Sequence, residues 1–176
     1  VNGNEQVKGR PVPEMDLPVI FPDYDPKAKK PAGTKDYLSK HGPEKFAEWM
    51  RQQKRLLITD TTMRDAHQSL LAARMRSVDQ LEVADAIAQH GDKLFSLECW
   101  GGATFDTSMR FLHENPFKRL RRLRERIPNI CFQMLLRGAN GVGYSNYPDN
   151  VIRGFIKHSA ESGMDIFLSL IHISEP

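Results

Sequence analysis

Two rhythms of apolar residues alternate along the chain. In KFAEWMRQQK, Lys45 to Lys54, the positions Phe46, Trp49 and Met50 recur at the spacing of one helix face, which predicts a short amphipathic helix whose apolar side something must cover. From Leu56 the texture changes to short continuous apolar runs alternating with helical patterns. LLIT predicts a buried strand. SVDQLEVADAIAQHG predicts a helix that opens on a Ser77–Gln80 capping box, closes at Gly91 and carries Val78, Leu81, Ala84, Ile87 and Ala88 on one side. KLFSLECWGG reads as a second strand, and FKRLRRLRERIP as a helix with Phe117, Leu120, Leu123 and Ile127 turned inward. NICFQMLLRG is a third strand, YPDNVIRGFIKHSAESG a helix with Pro148 near its first turn, and MDIF the start of a fourth strand.

Repeated βα units whose strands are apolar throughout predict a parallel sheet, either a (β/α)8 TIM barrel or a doubly wound sheet. Each of the first three strands runs into polar groups: Arg64 and Asp65 after the first, Glu98 to Asp106 after the second, Arg137 to Tyr144 after the third. In a barrel the strand ends share one mouth, so successive ends can build one site. A doubly wound sheet favours a glycine-rich phosphate turn after its first strand, and TTMRDAHQS has no glycine. Gly138, Gly141 and Gly143 follow the third strand, in the wrong unit for a dinucleotide fingerprint. The expectation is therefore an α/β chain forming the N-terminal part of a barrel.

Composition narrows this picture. The 176 residues are 40% hydrophobic and 27% charged, enough for one sizeable core and against disorder throughout. Six prolines before Lys35 prevent a regular helix there, so residues 1–35 read as a proline-rich interdomain linker or an arm packed on a neighbour. Residues 36–55 are a helical lead-in, 56–167 the first three to four βα units, and 168–176 a non-native tail. A net charge of +3 is mild, and the six basic residues from Lys118 to Arg126 interleave with inward leucines, which describes a solvated outer helix rather than a nucleic-acid surface. No apolar run long enough to span a membrane and no signal peptide is evident, so membrane and export roles are not supported. Cys99 and Cys131 fall inside predicted strands as reduced, buried thiols, which fits a cytosolic or matrix-like compartment.

Several strand-end residues carry candidate chemistry, each with a structural alternative. Asp65 is the best metal-ligand candidate, because a carboxylate at a strand tip reaches a divalent ion in a barrel mouth; the alternative is a capping or loop aspartate. His67 lies two residues on, but no other histidine has metal-ligand spacing to it, so it reads as a supporting loop residue. Arg64 and Arg137 suit a carboxylate substrate, or else buried ion pairs with Asp106 or Glu98. Tyr144 is either a donor to a developing oxyanion or a surface residue.

The stretches GPEKFAEWMRQQKR, LLITDTTMRDAHQSLLAARMR, LFSLECWGGATFD and RFLHENPFKRLRRLRERIPNICFQMLLRGANGVGYSNYPDNV together resemble the carboxyltransferase region of the pyruvate carboxylases, which are biotin-dependent enzymes; the resemblance runs from about Gly33 to Phe167. It implies that Asp65 of MRDAHQ is a metal ligand, for zinc or manganese, and that Arg64, Gln68 and Arg137 line a pyruvate pocket. It also implies that Arg64, Asp106 and Tyr144 form a catalytic polar cluster beside the biotin site. The reaction implied is carboxyl transfer from carboxybiotin to pyruvate, giving oxaloacetate, within an ATP-dependent ligase. Biotin would arrive on a separate biotinylated carrier domain, and the full-length enzyme would be a homotetramer of the bacterial cytoplasm or the mitochondrial matrix. The family's remaining metal ligands, a carboxylated lysine and an H-x-H pair, and its proton-shuttling threonine belong to later strands. After Phe167 the sequence LSLIHISEP departs from the family pattern. A whole barrel takes roughly 250 residues, so the chain alone is expected to be inactive and prone to aggregate along an open sheet edge. Competing readings are a biotin-dependent oxaloacetate decarboxylase or transcarboxylase subunit, a metal-dependent aldolase or lyase, and a non-catalytic barrel fragment.

Overall fold

A computed structural model describes residues 24–70 and 74–169. Its centre is a parallel sheet of β1 (Thr59–Asp60), β2 (Ser96–Trp100), β3 (Cys131–Leu136) and β4 (Ile166–Ser169), in the order β1-β2-β3-β4. Each strand lies beside its predecessor, which is barrel order; a doubly wound sheet reverses direction around its first strand. The connections are helices α2 (Ser77–His90), α4 (Pro116–Arg126) and α5 (Asp149–Glu161), with a short α3 (Gly102–Asp106) directly after β2.

One face of the sheet is packed against these helices. Leu97, Cys99 and Trp100 of β2 and Phe132 and Met134 of β3 join Ala84, Ala88, Leu120 and Leu123 in a single core, with Phe155 and Ile156 of α5 packed against it. Trp100 anchors its aromatic part, with ring centroids 4.8 Å from Phe105 and 5.0 Å from Phe117. The opposite face is polar. Thr59 Oγ1 meets Ser96 Oγ at 2.8 Å, and Ser96 Oγ donates to Gln133 Oε1 at 3.2 Å, a hydrogen-bonded row across three strands. The strands are thus apolar on the helix side and polar on the other, where neighbouring side chains satisfy one another.

Several elements differ from the sequence reading. The predicted strand LLIT is displaced: pairing begins at Thr59, while Leu56 and Ile58 are 87% and 58% exposed. The predicted Ser77–Gln80 box sits one residue earlier, where the Arg76 N–H donates to Asp79 Oδ2 at 2.9 Å. Ser77 and Gln80 turn inward instead, and Val78, expected inside, is 48% exposed. The first helix, α1, spans Thr34–Gln52 rather than starting at Lys45, because the chain breaks at Gly42 (φ 80°, ψ 171°) before Pro43 and resumes the helix. Its apolar face uses Phe46, stacked 5.8 Å from Phe95, and a Tyr37–Trp49 contact at 5.2 Å, whereas Met50 is 39% exposed.

The end of the sheet where strands begin is closed by α1 and the segment before it. Thr34 Oγ1 accepts the Cys131 N–H at 3.0 Å, Asn129 Nδ2 donates to Pro31 O at 2.8 Å, and Lys30 pairs with Asp85 at 2.8 Å. Asp165 is the centre of this floor: its carboxylate takes Lys35 Nζ and Arg124 Nη2, each at 2.5 Å, and the Phe132 N–H at 2.8 Å. β4 continues through Leu168 and Ser169, which pair with Leu135 and Leu136. The remainder of the predicted tail, and residues 1–23 of the predicted linker, lie outside the described residues.

Candidate active site

At the other end of the sheet the three strands release their chains into widened turns. A nine-residue π-helix, Thr62–Leu70, follows β1, with the Ala66 N–H bonded to Thr61 O across five residues. A second, Thr107–Phe111, continues α3, with the Leu112 N–H on Thr107 O. Such insertions recur at functional sites because the extra residue per turn re-aims side chains. The predicted sequence pattern held no sign of them; only the tight α-helical reading was available from apolar spacing.

Arg64, on the first π-helix, crosses the tip of β2. Its Nε and Nη2 both donate to the Glu98 carboxylate, and Nη1 donates to Asp65 Oδ1 at 2.8 Å. The ion-pair alternative for Arg64 therefore holds with Glu98 and not with Asp106. Gly101 makes room: a Cβ there would lie 3.1 Å from Arg64 Cδ. At Gly102 a Cβ would lie 2.8 Å from Val142 O and 3.5 Å from Arg137 Cζ, so the glycine pair lets both arginines close over the strand end. Burial pulls the Arg64 guanidinium below its ordinary value, Asp65 opposes that, and Arg137 adds to it by like-charge repulsion.

Arg137, at the end of β3, donates to Gly143 O at 3.3 Å and lies 5.2 Å from the centre of the Tyr144 ring. The Tyr144 hydroxyl donates to Asp106 Oδ2 at 2.9 Å, and Asp106 also pairs with Arg110 at 3.3 Å. Tyr144 is 72% exposed, a ring facing open space with its hydroxyl anchored. Gln68 Nε2 donates to Thr107 Oγ1 at 2.9 Å, and Gln68 Oε1 is buried with no hydrogen-bond partner among the described residues. Arg64, Asp65, Gln68, Asp106, Arg137 and Tyr144 thus gather at one end of the sheet, linked by Glu98 and Thr107. Sequence reasoning named Glu98 only as a possible partner and passed over Thr107, whose signal was its place directly after Asp106.

His67 is turned inward, 7% exposed, with Nε2 3.0 Å from Met63 O. Among the described residues no three His, Cys, Asp or Glu side chains are grouped to hold a metal ion, so Asp65 offers a single carboxylate and the residues present do not make a metal site by themselves. The two thiols are held protonated: burial pushes Cys99 up to about 12 and Cys131 up to about 11. Among the described residues no helix is long and apolar enough to cross a membrane.

No protein-family model matches the chain. Comparison with individual proteins is decisive. The chain is 51% identical over 167 residues to the pyruvate carboxylase of Staphylococcus aureus, covering 95% of this chain and 14% of that protein. This chain is a homologue of the pyruvate carboxylase carboxyltransferase domain. The human mitochondrial pyruvate carboxylase is 54% identical over 161 residues, covering 92% of the chain and 13% of the relative. The carboxyl transferase domain of Rhizobium etli pyruvate carboxylase, solved with oxamate and biotin, superposes with a TM-score of 0.81 at 54% identity, covering 96% of this chain and 28% of that one. The same domain has been solved with pyruvate. The α/β sheet of this carboxyltransferase homologue is accordingly part of a TIM barrel, and the chain spans about one seventh of the length of the curated relatives it matches.

Proposed function

We propose that the protein containing this chain transfers a carboxyl group from biotin to pyruvate, giving oxaloacetate, and that this chain supplies part of the mouth in which the transfer occurs. The observation that carries the reading is the convergence of Arg64, Gln68, Asp106, Arg137 and Tyr144 from three strand ends in a chain half identical to pyruvate carboxylases. The donor set suits pyruvate. The Arg137 fork matches a carboxylate, and on this reading the second N–H of Gln68 Nε2, whose first is on Thr107, donates to the ketone oxygen. As pyruvate loses a methyl proton, negative charge grows on that oxygen, and fixed cations at Arg64 and Arg137 favour it most at that stage.

The polar cluster also suits the ureido group of biotin, which needs both an acceptor and donors: Asp106 accepts, Arg64 donates, and the exposed Tyr144 ring offers a flat apolar surface. Bound biotin supplies the activated carboxyl group. Asp65 would supply one oxygen toward a divalent metal whose other ligands are not among the described residues. Biotin arrives on a separate biotinylated carrier, and the full-length enzyme is an ATP-dependent ligase assembled as a homotetramer in the bacterial cytoplasm or the mitochondrial matrix. The chain expressed alone is inert.

The test is the reverse half-reaction in the full-length protein. It should release pyruvate from oxaloacetate in proportion to added free biotin, and Arg137→Gln should lower that rate by about 100-fold. Pyruvate release that ignores biotin, or is unchanged in the variant, rejects the reading.

A further inference from the structure

Glu98 is a buried carboxylate that the reaction outlined above does not use. It is 5% exposed, on β2, and its only described partner is the Arg64 guanidinium, whose Nε and Nη2 both point at Oε1. With Nη1 on Asp65, three guanidinium nitrogens are committed, so the plane of the fork is fixed rather than merely its position. The pairing of β2 with β3 shifts between Glu98 and Trp100, where Glu98 faces Gln133 but Trp100 faces Met134. Regular alternation would put residues 98 and 100 on one side. Here Trp100 packs outward among Phe105 and Phe117 while Glu98 meets Arg64, so a bulge re-aims one of the two. The local charge balance points the same way. Arg137 repels Arg64, and the Arg64 side chain is 13% exposed, too enclosed for water to screen that repulsion well.

We propose that Glu98 is a positioning residue of the carboxyltransferase: it holds Arg64 flat across the β2 tip against Arg137 and keeps its charge aimed into the mouth. The inference rests on the carboxyltransferase reading. Without the Glu98 charge, the remaining described carboxylate on Arg64 is Asp65, which is itself 40% exposed, and Arg64 swings toward it and away from Gly101. Glu98 never touches substrate, so its whole effect passes through Arg64.

The experiment is a double-variant cycle in the full-length enzyme, reading biotin-dependent pyruvate release and the unfolding midpoint together. Glu98→Gln keeps shape and removes charge; it should slow turnover by about 10- to 100-fold while the folded protein persists. In an Arg64→Gln background the same change should cost less than about 2-fold, because the group it positions is gone. If Glu98→Gln does not fold, Glu98→Asp withdraws the carboxylate by one carbon and should show the same pattern, a loss that vanishes beside Arg64→Gln. Losses that multiply, or a single variant with parental turnover, overturn the proposal. A parent enzyme with no biotin-dependent turnover overturns the carboxyltransferase reading and the Glu98 role with it, whereas an active parent beside an unaffected variant overturns only the latter.

Discussion

The two ends of the sheet solve the burial of charge in opposite ways. At the floor, Arg124 stacks on Phe132 at 3.7 Å and donates to the carbonyls of Ile127, Ile130 and Gly163 as well as to Asp165, whose carboxylate is 3% exposed and takes Lys35 in addition. Every guanidinium nitrogen there has a partner. At the mouth, two arginines stand near enough to repel, Gln68 Oε1 is buried without a partner among the described residues, and Tyr144 leaves its ring in the open. Polar groups that are fully satisfied lock a fold, while unsatisfied ones gathered in a cleft are held for something else to complete. On the proposed function, the same residue types serve stability below and chemistry above.

Breaking the floor should give the largest effect on stability. Arg124→Ala leaves Asp165 with Lys35 and the Phe132 N–H but removes its second cation and the donors to the carbonyls of Ile127, Ile130 and Gly163, and should destabilise the domain by about 3–5 kcal/mol, seen as a fall in the denaturant midpoint of the purified protein. A loss below about 1 kcal/mol would mean that the floor pair behaves like a surface one. At the mouth, Tyr144→Phe removes only the hydroxyl that meets Asp106. It should slow biotin-dependent turnover by about 10-fold and leave the midpoint within about 0.5 kcal/mol, since the ring is mostly exposed.

Two smaller effects sharpen the contrast. Burial alone would push the Asp85 carboxyl up, but hydrogen bonds from Lys30 and Arg126 outweigh it and hold it below the usual carboxylate range. A group with a depressed folded value contributes stability that is present above its unfolded value, about pH 4, and lost as pH falls through the folded one. Acid titration of the midpoint should therefore be flatter below about pH 4 in Asp85→Asn than in the parent; equal slopes would remove Asp85 from the floor's electrostatics. Smallest is the thiol effect. Cys99 and Cys131 should resist alkylation at pH 8 in the native protein and react once it is unfolded, as read by peptide mass spectrometry; native labelling would contradict the burial that holds them protonated.

The floor and the mouth also differed in how far they could be read from sequence. Inward positions such as Leu120, Leu123 and Ile127 follow from helical spacing, and all three are at most 1% exposed. Strand order followed from the βα alternation only together with the polar residues at successive strand ends and the glycine-free turn after the first strand. The mouth residues were legible as polar groups after apolar runs, and the roles proposed for them come from family resemblance alone, but their pairing was not legible: whether Arg64 meets Glu98 or Asp106 depends on a strand bulge and two π-helices, which leave no periodic trace. The floor escaped notice for another reason. Asp165 lies 130 residues from Lys35 and 41 from Arg124, and no local pattern announces so distant a partnership.

The most direct test sets one variant from each end side by side, Arg137→Gln from the mouth and Arg124→Gln from the floor, in the full-length enzyme. Biotin-dependent pyruvate release per folded molecule and the unfolding midpoint are measured on both. The prediction is a clean exchange: Arg137→Gln keeps the midpoint and loses turnover by about 100-fold, while Arg124→Gln keeps turnover within about 3-fold at low temperature and loses midpoint. Both variants losing both properties in proportion, or Arg137→Gln retaining full turnover, would contradict the division of labour between the two ends of the sheet.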